Sequence, residues 1–198
     1  MELHHQAKLY LLALLLWALS SCSVTSVDKN QDKIIGQYID HGNGTITDTK
    51  TNLMWKKCTE GQTGNNCSGQ PKFYSWAEAK QKAKAENFAG FNDWRLPTSK
   101  ELDSLIYCSN GRSAQAKAEP WLYRCSENNE NYQVPTINTQ AFPNMIPMGN
   151  QYIYWSESTL MLGNDDSSAK VVDFSIGLEV ADYKVHKNQS RFVRTIKK

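Results

Sequence analysis

Cysteine placement constrains this chain more than any other feature. There are five cysteines in 198 residues. Cys22 ends an uncharged apolar run from Leu9 to Leu19, and Cys58, Cys67, Cys108 and Cys125 follow in the body of the chain. Eleven apolar residues suit the centre of an export signal and fall short of the roughly 20 needed to span a bilayer. An even set of cysteines behind such a signal reads as two disulfides, with three connectivities open. Local pairing, Cys58 with Cys67 and Cys108 with Cys125, is the simplest. Each bond would close a short loop and stabilise by roughly 3 kcal/mol on the chain-entropy view. A four-cysteine zinc site is disfavoured, because no Cys-x-x-Cys pair is present.

The stretch Leu19-Ser20-Ser21-Cys22 resembles a bacterial lipobox: an aliphatic residue, two small ones, then cysteine. In that chemistry the Cys22 thiol accepts a diacylglyceryl group and the small residues let a peptidase close on the bond before it. Residues 1–21 are therefore expected to be a signal peptide. Residues 22–33 are expected to be a lipidated cysteine and flexible tether, and 34–198 the folded domain. Acyl chains hold a protein to a membrane by about 0.8 kcal/mol per buried CH2. Ser23 stands where an Asp would resemble an inner-membrane retention signal, so the expected location is the outer membrane of a bacterial envelope. Losing residues 1–21 removes Glu2 and Lys8 and leaves the formal net charge at +2. No global charge argument for nucleic acid follows.

Patterning predicts strands at 34–40, 45–48 and 53–57, and again at 152–156, 170–175, 178–185 and 191–196, with Gly177 in a hairpin turn. The 40–48 stretch lacks the spacing of a calcium loop. Ser75-Trp76-Ala77-Glu78 and Thr98-Ser99-Lys100-Glu101 are capping boxes and predict two helices of about ten to thirteen residues. Leu102, Leu105 and Ile106 share one face of the second. Between Ser109 and Pro135 runs a long polar loop. Strands, two helices, a loop, then strands predict an α+β domain with an antiparallel sheet.

Four strings then line up with a known family. Asn43-Gly44-Thr45-Ile46-Thr47-Asp48 leads to Thr51-Asn52-Leu53-Met54-Trp55. Next come Asp93-Trp94-Arg95-Leu96-Pro97-Thr98 with Glu101-Leu102, then Tyr154-Trp155-Ser156-Glu157-Ser158, and last Arg191-Phe192-Val193-Arg194. Over roughly residues 38–196 the chain resembles the DUF1566 family, also called the Lcl C-terminal domain family. The resemblance implies a C-type-lectin-like fold, with two short helices packed on short antiparallel strands and a long loop region. It also implies an exported protein. One relative is a surface adhesin that binds sulfated polysaccharides through a trimeric domain. This chain has no collagen-like repeat, so no trimer is carried over.

Trp55, Trp94 and Trp155 lie within these strings beside apolar neighbours and are expected in the core. Arg95 and Glu101 are expected to form a buried ion pair. Trp121, Tyr123 and Arg124 sit in the long loop beside Cys125 and are candidate ligand contacts. In the basic C-terminal segment, Lys184 and Lys187 are further candidates. Arg191 and Arg194 have opposite strand parity, so at least one is expected to be structural.

Enzyme logic does poorly. His41 and His186 are the histidines left after the signal segment, and no serine-hydrolase, zinc-protease or phosphate-loop motif is present. No catalytic residue, metal or cofactor is expected. The expected function is a lipid-anchored envelope module, not an enzyme, that engages a polysaccharide or an envelope partner. The competing expectation is a structural or accessory lipoprotein subunit of an envelope complex.

Overall fold

A computed structural model describes residues 32–111, 125 and 131–197. Cys22, the signal segment, most of the tether, and Trp121, Tyr123 and Arg124 lie outside the described residues. Among the described residues no helix is long and apolar enough to cross a membrane.

Among the described residues eight strands and two helices follow one another as β1 (Lys33–Ile35), β2 (Tyr38–Asp40), β3 (Thr45–Asp48), β4 (Leu53–Lys56), α1 (Trp76–Lys84), α2 (Ser99–Asp103), β5 (Ile153–Leu162), β6 (Asp165–Asp173), β7 (Leu178–Tyr183) and β8 (Val193–Thr195). They form an antiparallel five-stranded sheet, ordered β1-β2-β3-β4-β8, and an antiparallel three-stranded sheet, β5-β6-β7. The last strand returns to the first sheet, pairing Trp55 with Val193 and Met54 with Arg194. The domain is α+β and mostly β.

The single strand expected at 34–40 is two. Gly36 turns at a φ of 60° and folds Ile35 back on Tyr38, a backbone conformation glycine adopts without a Cβ clash. β6 starts five residues earlier than expected, at Asp165. Its first half, Asp-Asp-Ser-Ser, has low strand propensity. It is held by pairing with a long β5 across the Gly163 turn, where φ is 65°.

Both capping boxes form. Ser75 Oγ accepts from the Glu78 amide, and Glu78 accepts from the Ser75 amide at 2.7 Å. Thr98 and Glu101 repeat the exchange at 3.2 and 2.8 Å. The helices are shorter than expected, at nine and five residues. α1 is followed by the Ala89-Gly90 turn, where both φ are positive and Phe88 pairs with Phe91. α2 stops where the Ser104 hydroxyl donates to the Glu101 carbonyl at 2.6 Å, a local bond that competes with helix continuation. Leu102, Leu105 and Ile106 are still buried together, but Ile106 leaves the helix to bridge Ile137.

Strand alternation divides the core. Tyr154, Val172 and Phe174 join Ile46, Trp55, Leu102, Ile137 and Phe142. Their neighbours Trp155 and Val171 face the other way, against Ala79 and Ala83 of α1 and against Trp94, Leu96 and Phe192. Trp55, Trp94 and Trp155 are all buried. Trp94 Nε1 donates to the Phe88 carbonyl at 3.1 Å and Trp155 Nε1 to the Tyr74 carbonyl at 2.7 Å.

Candidate functional site

Two disulfides close as local pairs, Cys58–Cys67 and Cys108–Cys125. The first defines a site. Residues 59–66 form a loop held at its neck by the disulfide and by backbone bonds. The Glu60 amide donates to the Ser190 carbonyl at 3.0 Å, and the Lys72 amide donates to the Glu60 carbonyl at 2.8 Å. Beside this loop lies a cleft of about 390 Å³. Asn43 and Gly44, in the turn just before β3, line it, as do Lys56 at the end of β4, the loop itself, Lys72 and Tyr74. Lys82 of α1 closes it with Glu86 and Phe88. Gly44 is needed there: its φ is 86°, and a Cβ would meet Phe88 Cζ at 2.7 Å.

A chain of charges forms the floor. Lys56 Nζ lies 2.5 Å from Glu60 and 2.8 Å from Glu86, and Lys82 Nζ lies 3.0 Å from Glu86. Lys56 Nζ also sits over the rings of Phe88, at 4.7 Å, and Phe192, at 5.4 Å. The Lys56, Glu60 and Glu86 side chains are 11%, 5% and 11% exposed. Burial pushes the Glu60 carboxyl above the ordinary carboxylate range despite the opposing pull of Lys56. For Glu86 burial also pushes upward, but the bonds from Lys56 and Lys82 outweigh it and hold that carboxyl low. Burial, then the charge of Glu60, raises the Tyr74 hydroxyl, so it stays a protonated donor. Two carboxylates and two ammonium groups are thus compensated within the wall.

The family strings supply the frame around this cleft more than its lining. Arg95 meets Glu101 in a bidentate pair at 2.7 and 2.7 Å. The pair forms as expected but is only half buried, the side chains being 33% and 22% exposed. Arg194 bonds Asp93 at 2.6 and 3.2 Å and covers the Phe91 ring at 3.9 Å. Arg191 is 1% exposed. Its guanidinium donates to the carbonyls of Lys56 and Lys57 and lies over the Phe142 and Tyr154 rings. Both arginines are structural. In the third string the Tyr154 hydroxyl meets Thr59 Oγ1 at 2.7 Å, and Ser156 Oγ donates to the Lys170 carbonyl at 2.7 Å.

The C-terminal candidates lie elsewhere. Lys184 Nζ bonds the Asp166 carboxylate at 2.5 Å and its carbonyl at 2.7 Å, 4.6 Å from the Trp76 ring. It is therefore a paired side chain, 16% exposed. Lys187 is exposed and lines a shallower groove of about 700 Å³ across the three-stranded sheet, with Ile153, Leu178 and Val180 on its floor. Neither lysine lines the cleft. Lys56, Glu60, Tyr74, Lys82 and Glu86 escaped the sequence reading. The signal that could have found them is the polar loop Thr59–Asn66, closed by a disulfide directly after β4.

His41 Nε2 lies 2.8 Å from Thr47 Oγ1, and its Nδ1 lies 2.8 Å from Asp32. His186 Nδ1 lies 2.6 Å from Asp182. Both histidines are outside the cleft. Among the described residues no group of three or more His, Cys, Asp or Glu is placed to hold a metal ion.

Fold and site together define a disulfide-bonded α+β domain with a lined polar cleft. The chain belongs to the Lcl C-terminal domain family, whose profile matches residues 44–196. No curated protein and no solved structure matches it at a significant level.

Proposed function

We propose that the chain is an exported, lipid-anchored binding module of the bacterial cell envelope that engages polysaccharide through the cleft beside the Cys58–Cys67 loop. The anchor is the Cys22 lipid, and the site of action is the outer membrane. The fold belongs with the C-type-lectin-like domains. That assignment is supported by two short helices, by the return of β8 to β4, and by a long segment between α2 and β5.

The cleft is the observation that carries the binding role. Its volume lies in the range of small-ligand sites. It offers polar groups of both kinds beside the Tyr74 and Phe88 rings, which suits a ring with hydroxyls on its edge and C–H groups on its face. A non-catalytic role is supported by the commitment of both carboxylates to Lys56. The test is saturable binding of envelope polysaccharide by the full chain in detergent, with Thr63→Trp and Asn65→Trp as cleft-filling variants. Binding lost in both variants is the expected result. Binding that survives in folded variants removes the cleft from the proposal, and no binding to any polysaccharide overturns it. Mass spectrometry of the native protein tests the lipid on Cys22.

One observation favours the accessory-subunit alternative. The sheet groove has an apolar floor, and Met161, Tyr183 and Val185 are exposed nearby in sequence, at 56%, 57% and 80%. Co-purification of a stoichiometric envelope protein, lost on Val180→Asp, would support that role instead.

A further inference from the structure

We infer that the cleft faces the membrane that holds the anchor and takes the saccharide headgroup of a glycolipid in that bilayer. The inference rests on the lipid-anchor and polysaccharide-binding proposals and specifies where their ligand resides. Topology is the first ground. β1 starts, β2 ends, β3 starts and β4 ends at one end of the five-stranded sheet, because successive strands run antiparallel, with Lys33 opposite Asp40 and Thr45 opposite Lys56. The cleft is built on that end, by Asn43 and Gly44 between β2 and β3, by Lys56 and by the loop after β4. The chain enters the domain there too. Paired strands stand about 4.8 Å apart, which puts the start of β1 about 14 Å from Lys56, three strands away. A side-chain clip holds the entry beside the cleft. His41 Nδ1 lies 2.8 Å from Asp32, the residue before β1, and His41 Nε2 lies 2.8 Å from Thr47 Oγ1. Asn43, two positions on from His41, lines the cleft, and two peptide steps cover at most about 7.6 Å.

Chain length is the second ground. Cys22 and Asp32 are ten positions apart. Fully extended, that stretch reaches about 35 Å. The cleft therefore stays within about 50 Å of the lipid on Cys22. A link this short holds a ligand of the same membrane at an effective concentration in the millimolar range, whereas a dissolved polymer gains nothing from it. The surface at this end also suits a bilayer. Lys33 and Lys72 are exposed and enter no ion pair among the described residues, and anionic headgroups attract such charges. Ile34 follows Lys33 directly on the edge strand β1 and is 77% exposed. An apolar side chain placed there can enter the headgroup region. A site for a dissolved polymer has no need to share one end of the sheet with the anchor.

The test uses the native lipidated chain reconstituted into vesicles of phosphatidylethanolamine and phosphatidylglycerol, with and without bacterial lipopolysaccharide. Beside it stands the same chain in detergent with the polysaccharide released from that lipopolysaccharide. Mass spectrometry of the preparation checks the lipid on Cys22. Hydrogen exchange of the backbone amides from Glu60 to Asn65 reads occupancy of the cleft. Expected is protection of these amides in the vesicles that carry lipopolysaccharide. A variant with about twenty Gly and Ser residues inserted between Ser26 and Val27 should need about fivefold more lipopolysaccharide for the same protection, since effective concentration falls roughly as the −3/2 power of linker length. The insertion lies ahead of the folded domain and leaves its packing alone. Protection by the released polysaccharide, with none in the lipopolysaccharide vesicles, overturns the inference while leaving polysaccharide binding in place. Protection in vesicles that is indifferent to the insertion overturns it too. No protection by either form fails the polysaccharide-binding proposal, and an unlipidated Cys22 fails the anchor proposal; the inference falls with either.

Discussion

Each terminal nitrogen of Arg95 lies 2.7 Å from one carboxylate oxygen of Glu101, and the same carboxylate caps α2 by accepting from the Thr98 amide at 2.8 Å. Burial pushes this carboxyl upward, but the bonds from Arg95 and from the Thr98 backbone hold it below its ordinary range. A depressed folded value contributes stability that is present above the unfolded value near 4.3 and is lost as pH falls through the folded one. Glu101→Gln should therefore destabilise the domain at neutral pH, and its deficit against the natural chain should shrink below about pH 4. Urea denaturation across that range measures it. A deficit that grows on acidification would refute the pairing as the cause.

Glu60 should behave in the opposite sense. Its carboxyl is raised, first by burial, so its favourable contribution is present below the unfolded value and is lost as pH climbs through the folded one. Glu60→Gln mimics the protonated form. Relative to the natural chain it should gain stability as pH rises from about 4 to about 8. A difference that is flat with pH would mean that Lys56 fully offsets the burial.

Arg191→Met should be among the most damaging single changes. The guanidinium serves the Lys56 and Lys57 carbonyls in a space with almost no solvent. Its loss strands those acceptors and should cost about 3–5 kcal/mol. Lys187→Met, at an exposed position, should stay within about 0.5 kcal/mol. Chemical denaturation under oxidising conditions compares the two.

Removing either disulfide by paired Cys→Ser changes should cost about 3 kcal/mol, slightly more for the longer Cys108–Cys125 loop. The local consequences should differ. Without Cys58–Cys67, backbone amides between Glu60 and Asn65 should exchange hydrogen faster, because the wall of the cleft loses its neck. Without Cys108–Cys125 they should be unchanged. Equal effects in the two variants would show that the first bond does not define the cleft.

Much of the frame was legible because it is written locally. A capping box needs residues three apart, so Ser75–Glu78 and Thr98–Glu101 could be read directly. The Arg95–Glu101 pair spans six residues and one turn. Strand parity put Arg191 and Arg194 on opposite sides, though not that each would find a structural partner. The helix lengths were misread for a physical reason. Apolar spacing reports burial, and Leu105 and Ile106 are buried without being helical. Lys184 looked like a free cation in sequence. It is paired with an aspartate eighteen positions earlier, across a hairpin whose Gly177 turn is legible but whose first strand was expected only from 170, past Asp166.

Sequence alone determined the family, both helix starts and the apolar alternation that divides the core, because each depends on neighbours within a few residues or on a fixed period, and it left the cysteine pairing among three connectivities. Tertiary structure alone decided where the cleft lies and which charges share it. Lys56 and Glu86 are thirty positions apart. Polar side chains carry no period that reveals which of them will meet in a space closed to water.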